Sequence, residues 1–145
     1  MTSVTYDPRR IIETANSFLL AADRAFEQRS LGSNQFQMLV VPAVVSTAFA
    51  IELFFKGIIT IEKGNATGHD LSKLFDCLSN QSQDALVARL KLDRTVFSIK
   101  LKAISNVFVE WRYIYESESA SLDLDFIRKL SQESKHIAEG IVNHK

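Results

Sequence analysis

Three groups of side chains have the types and spacing to do chemistry. In Ala50-Ile-Glu-Leu-Phe-Phe-Lys56, Glu52 and Lys56 stand four residues apart, an acid ahead of a cation on one helical face. The flanking residues are apolar, so a charge there needs a partner; the pair either fixes helix register or lines a cleft. His69, in Gly68-His-Asp-Leu71, precedes a natural helix-capping Asp70 and is the one histidine outside the C-terminal segment. It reads as a ring hydrogen-bonded to a backbone or carboxylate group, with a proton-transfer role as the alternative. Arg112 lies in Ser105-Asn-Val-Phe-Val-Glu-Trp-Arg-Tyr-Ile-Tyr-Glu-Ser117. It reads either as an i, i+4 surface partner of Glu116 or as a guanidinium facing phosphate or a carboxylate.

Helices must position these groups, because helix-period apolar patterns recur from end to end and no strand-period alternation bounded by turn signals is present. A first helix begins at Asp7-Pro8 and carries the stripe Ile11, Ile12, Ala15, Phe18, Leu19, Ala22 and Phe26. A second, from Phe36 or Pro42 to Lys63, is apolar around its circumference and therefore central, with Gly64-Asn65 as its stop. Asp70 caps a short third helix to Leu78, and a further turn or two from Gln81 to Leu90 takes Ser82 as cap. A fourth helix over Thr95 to Glu116 puts Phe97, Leu101, Ile104, Phe108, Trp111 and Tyr115 on one core line, so that of its late aromatics only Tyr113 points away. A fifth, after Ser117-Glu-Ser-Ala-Ser121, buries Phe126, Ile127, Leu130, Ile137 and Ile141. The expected class is all-α, an antiparallel four-helix bundle with one or two short helices between its second and fourth long helices.

Ala50-Ile-Glu-Leu-Phe-Phe-Lys56, Gly68-His-Asp-Leu71 and the Arg112 stretch together make the chain resemble the HEPN domain family, from Tyr6 to Val142. The resemblance implies an all-helical homodimer whose Arg-bearing helices face each other across a cleft. It implies work on RNA or nucleotide, often in toxin–antitoxin or phage-defence systems and beside a nucleotidyltransferase-type antitoxin or other protein partner. HEPN ribonucleases carry an Arg, then four to six intervening residues, then a His. Those positions are Ser117, Glu118 and Ser119 here. Metal-independent RNA cleavage needs a deprotonated 2′-hydroxyl, a protonated leaving oxygen and neutralised phosphorane charge. Without the on-helix His, the resemblance implies a binding or regulatory module lacking robust ribonuclease activity. The alternative is a divergent endoribonuclease that pairs Arg112 with Glu116, Tyr113 or His69.

Composition bounds the rest. A length of 145 residues fits one domain, and 46% hydrophobic residues with five Gly and two Pro exclude a disordered chain. Lys plus Arg and Asp plus Glu each total 17, so any nucleic-acid contact must come from a local patch. Arg89, Lys91, Arg94, Lys100 and Lys102 form the best candidate patch for phosphate, or else a solvated helical connection. One cysteine, Cys77, excludes an internal disulfide and reads as a small apolar filler in a reducing compartment. Three His with one Cys make no metal-ligand spacing, and no cofactor is expected. The start, Met1-Thr-Ser-Val-Thr-Tyr-Asp7, lacks a signal-peptide pattern, and the expectation is a cytoplasmic protein. Met38 to Ile61 is long enough to cross a bilayer, but Glu52 and Lys56 would each cost about 2.5–3.5 kcal/mol there.

Overall fold

The computed structural model describes residues 6–116 and 122–144, the side chains of Phe36 and Glu116 excepted. Helix α1 spans Pro8–Ala25; the Asp7 carboxylate accepts from the Arg9 N–H, and Pro8 starts the first turn, where its missing donor costs nothing. Its buried residues Ile12, Ala15, Leu19 and Ala22 recur at helical spacing and face helix α2, Val40–Lys63. The two helices approach closely at Gly57, where a Cβ would stand 2.7 Å from Ile12 Cγ1. Phe18 is an exception to the expected stripe: it is partly exposed and packs edge-on against Phe49 of α2.

The helix α2 is the centre of the molecule. It packs against α1, α3 (Leu71–Cys77), α6 (Val107–Arg112) and α7 (Leu124–Asn143). From Ala43 to Ile59 it buries residues on nearly every side, as its apolar circumference requires. Among the described helices it alone is long and apolar enough to cross a membrane, and most of that stretch is packed inside the protein. Gly64 ends it at φ 97, a left-handed conformation that suits glycine.

Five expectations need correction. The segment between α1 and α2 forms an antiparallel hairpin, β1 (Arg29–Gly32) with β2 (Gln35–Gln37). Positive φ at Gly32 and Asn34 turns the chain within four residues. The expected single helix over Thr95 to Glu116 is broken into α5 (Arg94–Ala103), α6 and a 3-10 turn at Ile114–Glu116. The break lies at Ser105, whose hydroxyl donates to the Leu101 carbonyl and accepts from the Ser72 N–H, while its own carbonyl accepts from the Leu71 N–H. Ser105 is thus spent on tying down the start of α3. Past the break the core line is lost: Trp111 is half-buried and Tyr115 is 76% exposed. Helix α4 (Asn80–Leu90) takes Ser79 as cap in place of Ser82, and Cys77 is exposed.

Helix α7 opens with Asp123 accepting from the Phe126 N–H. Phe126, Ile127, Leu130, Ala138 and Val142 line its buried face, while Ile137 and Ile141 are half-buried. The described residues are helical apart from the hairpin and connecting turns, and share one hydrophobic core.

Candidate functional site

The charged residues of α2 meet the loop before α3 in a three-member cluster. Glu52 is 1% exposed, Lys56 18% and His69 58%, so a fully buried carboxylate is reached from the surface through an imidazole. Lys56 Nζ donates to Glu52 Oε2 at 2.9 Å, as the i, i+4 spacing on α2 dictates. His69 Nδ1 lies 3.0 and 2.9 Å from the two carboxylate oxygens. With Nδ1–H donated to Glu52, Nε2 on the far side of the ring remains for solvent or a ligand. The loop Gly64–His69 is anchored at both ends, by Gly64 closing α2 and by Asp70 accepting from the Lys73 N–H to open α3.

Beside this cluster lies a cleft of about 390 Å³, lined by Tyr6, Ile11, Leu53, Lys56, Thr60 and residues 65–69. His69 belongs to both this cleft and the next surface. Its ring lies 6.1 Å from that of Phe108, and the Arg112 guanidinium sits 4.8 Å above the same Phe108 ring. Phe108 itself stacks on Phe49 at 4.6 Å, which holds it in place. Arg112 is exposed, also lies 5.6 Å from the Tyr113 ring, and makes no ion pair among the described residues. Tyr113 and Tyr115 are exposed and their rings lie 6.4 Å apart. The helix stops at Arg112, so the continuous turn required for a regular i, i+4 pair with Glu116 is absent; the Glu116 side chain and Ser117, Glu118 and Ser119 lie outside the described residues.

The basic stretch is largely neutralised. Arg89 pairs with Glu133, Arg94 with Asp84 at 2.9 Å and Lys100 with Asp123 at 2.5 Å. Lys91 and Lys102 are exposed and make no ion pair among the described residues. Asp123, already the cap of α7, is held below the usual carboxylate range, first by the Lys100 hydrogen bond and then by the Phe126 N–H. The five cations therefore do not present one free patch.

A second polar cluster went unread in the sequence. Glu62, near the end of α2, accepts from the Ser79 N–H at 2.9 Å and from the Ser79 and Ser82 hydroxyls, each at 2.6 Å. Burial pushes its carboxyl up, but these hydrogen bonds, with Lys63 nearby, outweigh it and hold Glu62 below its ordinary value. The 17 and 20 residues of separation left no local signal. Among the described residues no three His, Cys, Asp or Glu side chains converge as a metal site.

No family model, curated protein or solved structure matches this chain. The residues must therefore speak for themselves. They offer a buried carboxylate orienting an imidazole and a lysine, and an exposed guanidinium on an aromatic surface.

Proposed function

We propose that the chain is a HEPN-like module that binds RNA without robust ribonuclease activity, working as a homodimer in a toxin–antitoxin or phage-defence setting. The observation that carries the RNA reading is Arg112, exposed on the Phe108 ring beside two exposed tyrosines. A guanidinium offers paired donors to phosphate, and neighbouring aromatic rings offer faces on which unpaired bases stack. The exposure of Tyr115 strengthens the reading, since a core-facing Tyr115 would have left Tyr113 alone. A four-helix HEPN-like arrangement, with α5 and α6 together as one long element beside α1, α2 and α7, is the fold that goes with it. The partly exposed Phe18 and Val109 would supply apolar surface for the second copy.

A second reading has one specific observation in its favour. The Glu52–His69 hydrogen bond orients an imidazole as a proton-transfer group does, and His69 shares the Phe108 ring with Arg112. On that reading the chain is a divergent endoribonuclease with His69 in place of the on-helix histidine.

Fluorescence anisotropy with a labelled single-stranded RNA tests the first reading. Arg112→Ala and Tyr115→Ala should each weaken binding by about 1–3 kcal/mol. Unchanged affinity in both variants would move RNA off this surface. Light scattering at micromolar concentration should give twice the 16.3 kDa chain mass; a single-chain mass across the range would remove the dimer.

A further inference from the structure

The cleft between Tyr6 and residues 65–69 has donors left over. Lys56 is four-fifths buried, yet only one of its three N–H groups has an acceptor, Glu52 Oε2, among the described residues. Lys56 lines the cleft, so its two remaining N–H groups are donors for a ligand there. His69 lines the same cleft with Nε2 uncommitted. Two neutral groups join them. The Thr67 hydroxyl makes no hydrogen bond among the described residues, and Asn65 uses its Oδ1 on the Ala66 N–H, leaving Nδ2 as a donor. The Thr60 hydroxyl, by contrast, is already donated to the Lys56 carbonyl at 2.7 Å.

The one anion in the cluster does not oppose a second one at full strength. Both oxygens of Glu52 are occupied by His69 and one also by Lys56. When His69 is protonated, two cations surround one carboxylate and the cluster is net positive. Lys56, Asn65 and Thr67 offer donors from three directions, joined by His69 Nε2 when the ring is protonated, and the two coplanar oxygens of a carboxylate do not face them all. A tetrahedral phosphate monoester, with three terminal oxygens and a charge of about −1.5 to −2 at neutral pH, matches them. Ile11, Leu53 and the half-exposed Tyr6 ring line the same cleft and give apolar surface for the group esterified to that phosphate.

We infer that this cleft binds a small phosphomonoester, its phosphate held by Lys56, His69, Asn65 and Thr67 and its organic group against Tyr6, Ile11 and Leu53. The site does not depend on RNA binding at Arg112.

Amide chemical shifts of the full chain, followed on adding phenyl phosphate, inorganic phosphate, phenol and dimethyl phosphate at matched ionic strength, test it. Phenyl phosphate should shift the amides of residues 65–69 saturably, inorganic phosphate more weakly, and phenol and dimethyl phosphate should not. Lys56→Met should weaken phenyl phosphate binding at least about tenfold, and Thr67→Val, at an exposed rim where folding is not at stake, about threefold. Absence of saturable shifts with either phosphate in the folded protein would overturn the site, as would an equal response to phenol. Shifts confined to residues around Arg112 would overturn it too while leaving the RNA reading intact. If RNA binding fails and the phosphate shifts remain, the cleft stands alone.

Discussion

Glu52 and Glu62 lie on the same helix and are satisfied in opposite ways. Glu52 is covered by a lysine and a histidine, both of which also reach a cleft; Glu62 is covered by two serine hydroxyls and a backbone N–H that belong to the start of α4. A hydroxyl given to Glu62 has no further proton to donate, so those groups are spent on the fold. A lysine given to Glu52 keeps two N–H groups, so that junction is stable and still able to bind. Lys56 beside Glu52 thus keeps donors for a ligand, whereas the hydroxyls on Glu62 keep none.

Removing either carboxylate breaks the comparison at its stronger end first. Glu52→Ala leaves Lys56 largely buried without its counter-ion and should destabilise the protein by about 3–5 kcal/mol in chemical denaturation. Replacing both Glu52 and Lys56 with apolar residues should cost much less. A Glu52→Ala midpoint equal to that of the parent would contradict a buried pair.

Glu62→Ala should cost less, about 1–3 kcal/mol, because the groups it strands are neutral. The sign of its pH dependence follows from the lowered carboxyl. The unfolded chain takes up the proton at a higher pH than the folded one, so the stability from Glu62 is complete above the ordinary carboxylate value. It is lost as pH falls through the lower folded value. Denaturation midpoints between neutral pH and the acid range should therefore fall less steeply in Glu62→Gln than in the parent; parallel slopes would show that the hydrogen bonds do not hold the carboxyl down.

Asp123 is the mildest case, an exposed cap strengthened by Lys100. Asp123→Ala should cost about 0.5–2 kcal/mol, and Asp123→Asn, which can still accept from the Phe126 N–H, should recover most of it. Equal losses in both variants would assign the effect to the Lys100 pair and not to the cap.

Local signals carried much of the fold. Asp7-Pro8, Gly64 and Asp70 mark helix boundaries because capping is decided within a few residues, and α2 is central because no face of it is polar enough for water. What was not legible depends on contacts between distant segments. Ser105 sits in a continuous helical pattern, and only its bonds to Leu71 and Ser72 turn it into a break. Once the helix breaks there, Tyr115 leaves the core line that regular periodicity assigns to it. The site divides in the same way. The Glu52–Lys56 pair could be read from its spacing, whereas the partner of His69 could be named only as some backbone or carboxylate group, since Glu52 is 17 residues away. The acids that neutralise Arg89 and Lys100, Glu133 and Asp123, lie still further along the chain.

RNA binding at Arg112 without robust cleavage is the proposed function. An on-helix histidine would supply about 10²–10⁴ of the rate by acid–base catalysis. The most direct measurement incubates the purified protein and its Arg112→Ala variant with a mixed-sequence RNA under metal-free conditions, with binding titrations at two salt concentrations. The account predicts intact RNA, binding that weakens as salt rises, and weaker binding by Arg112→Ala. Clear cleavage abolished by Arg112→Ala would contradict it and make the chain a divergent nuclease.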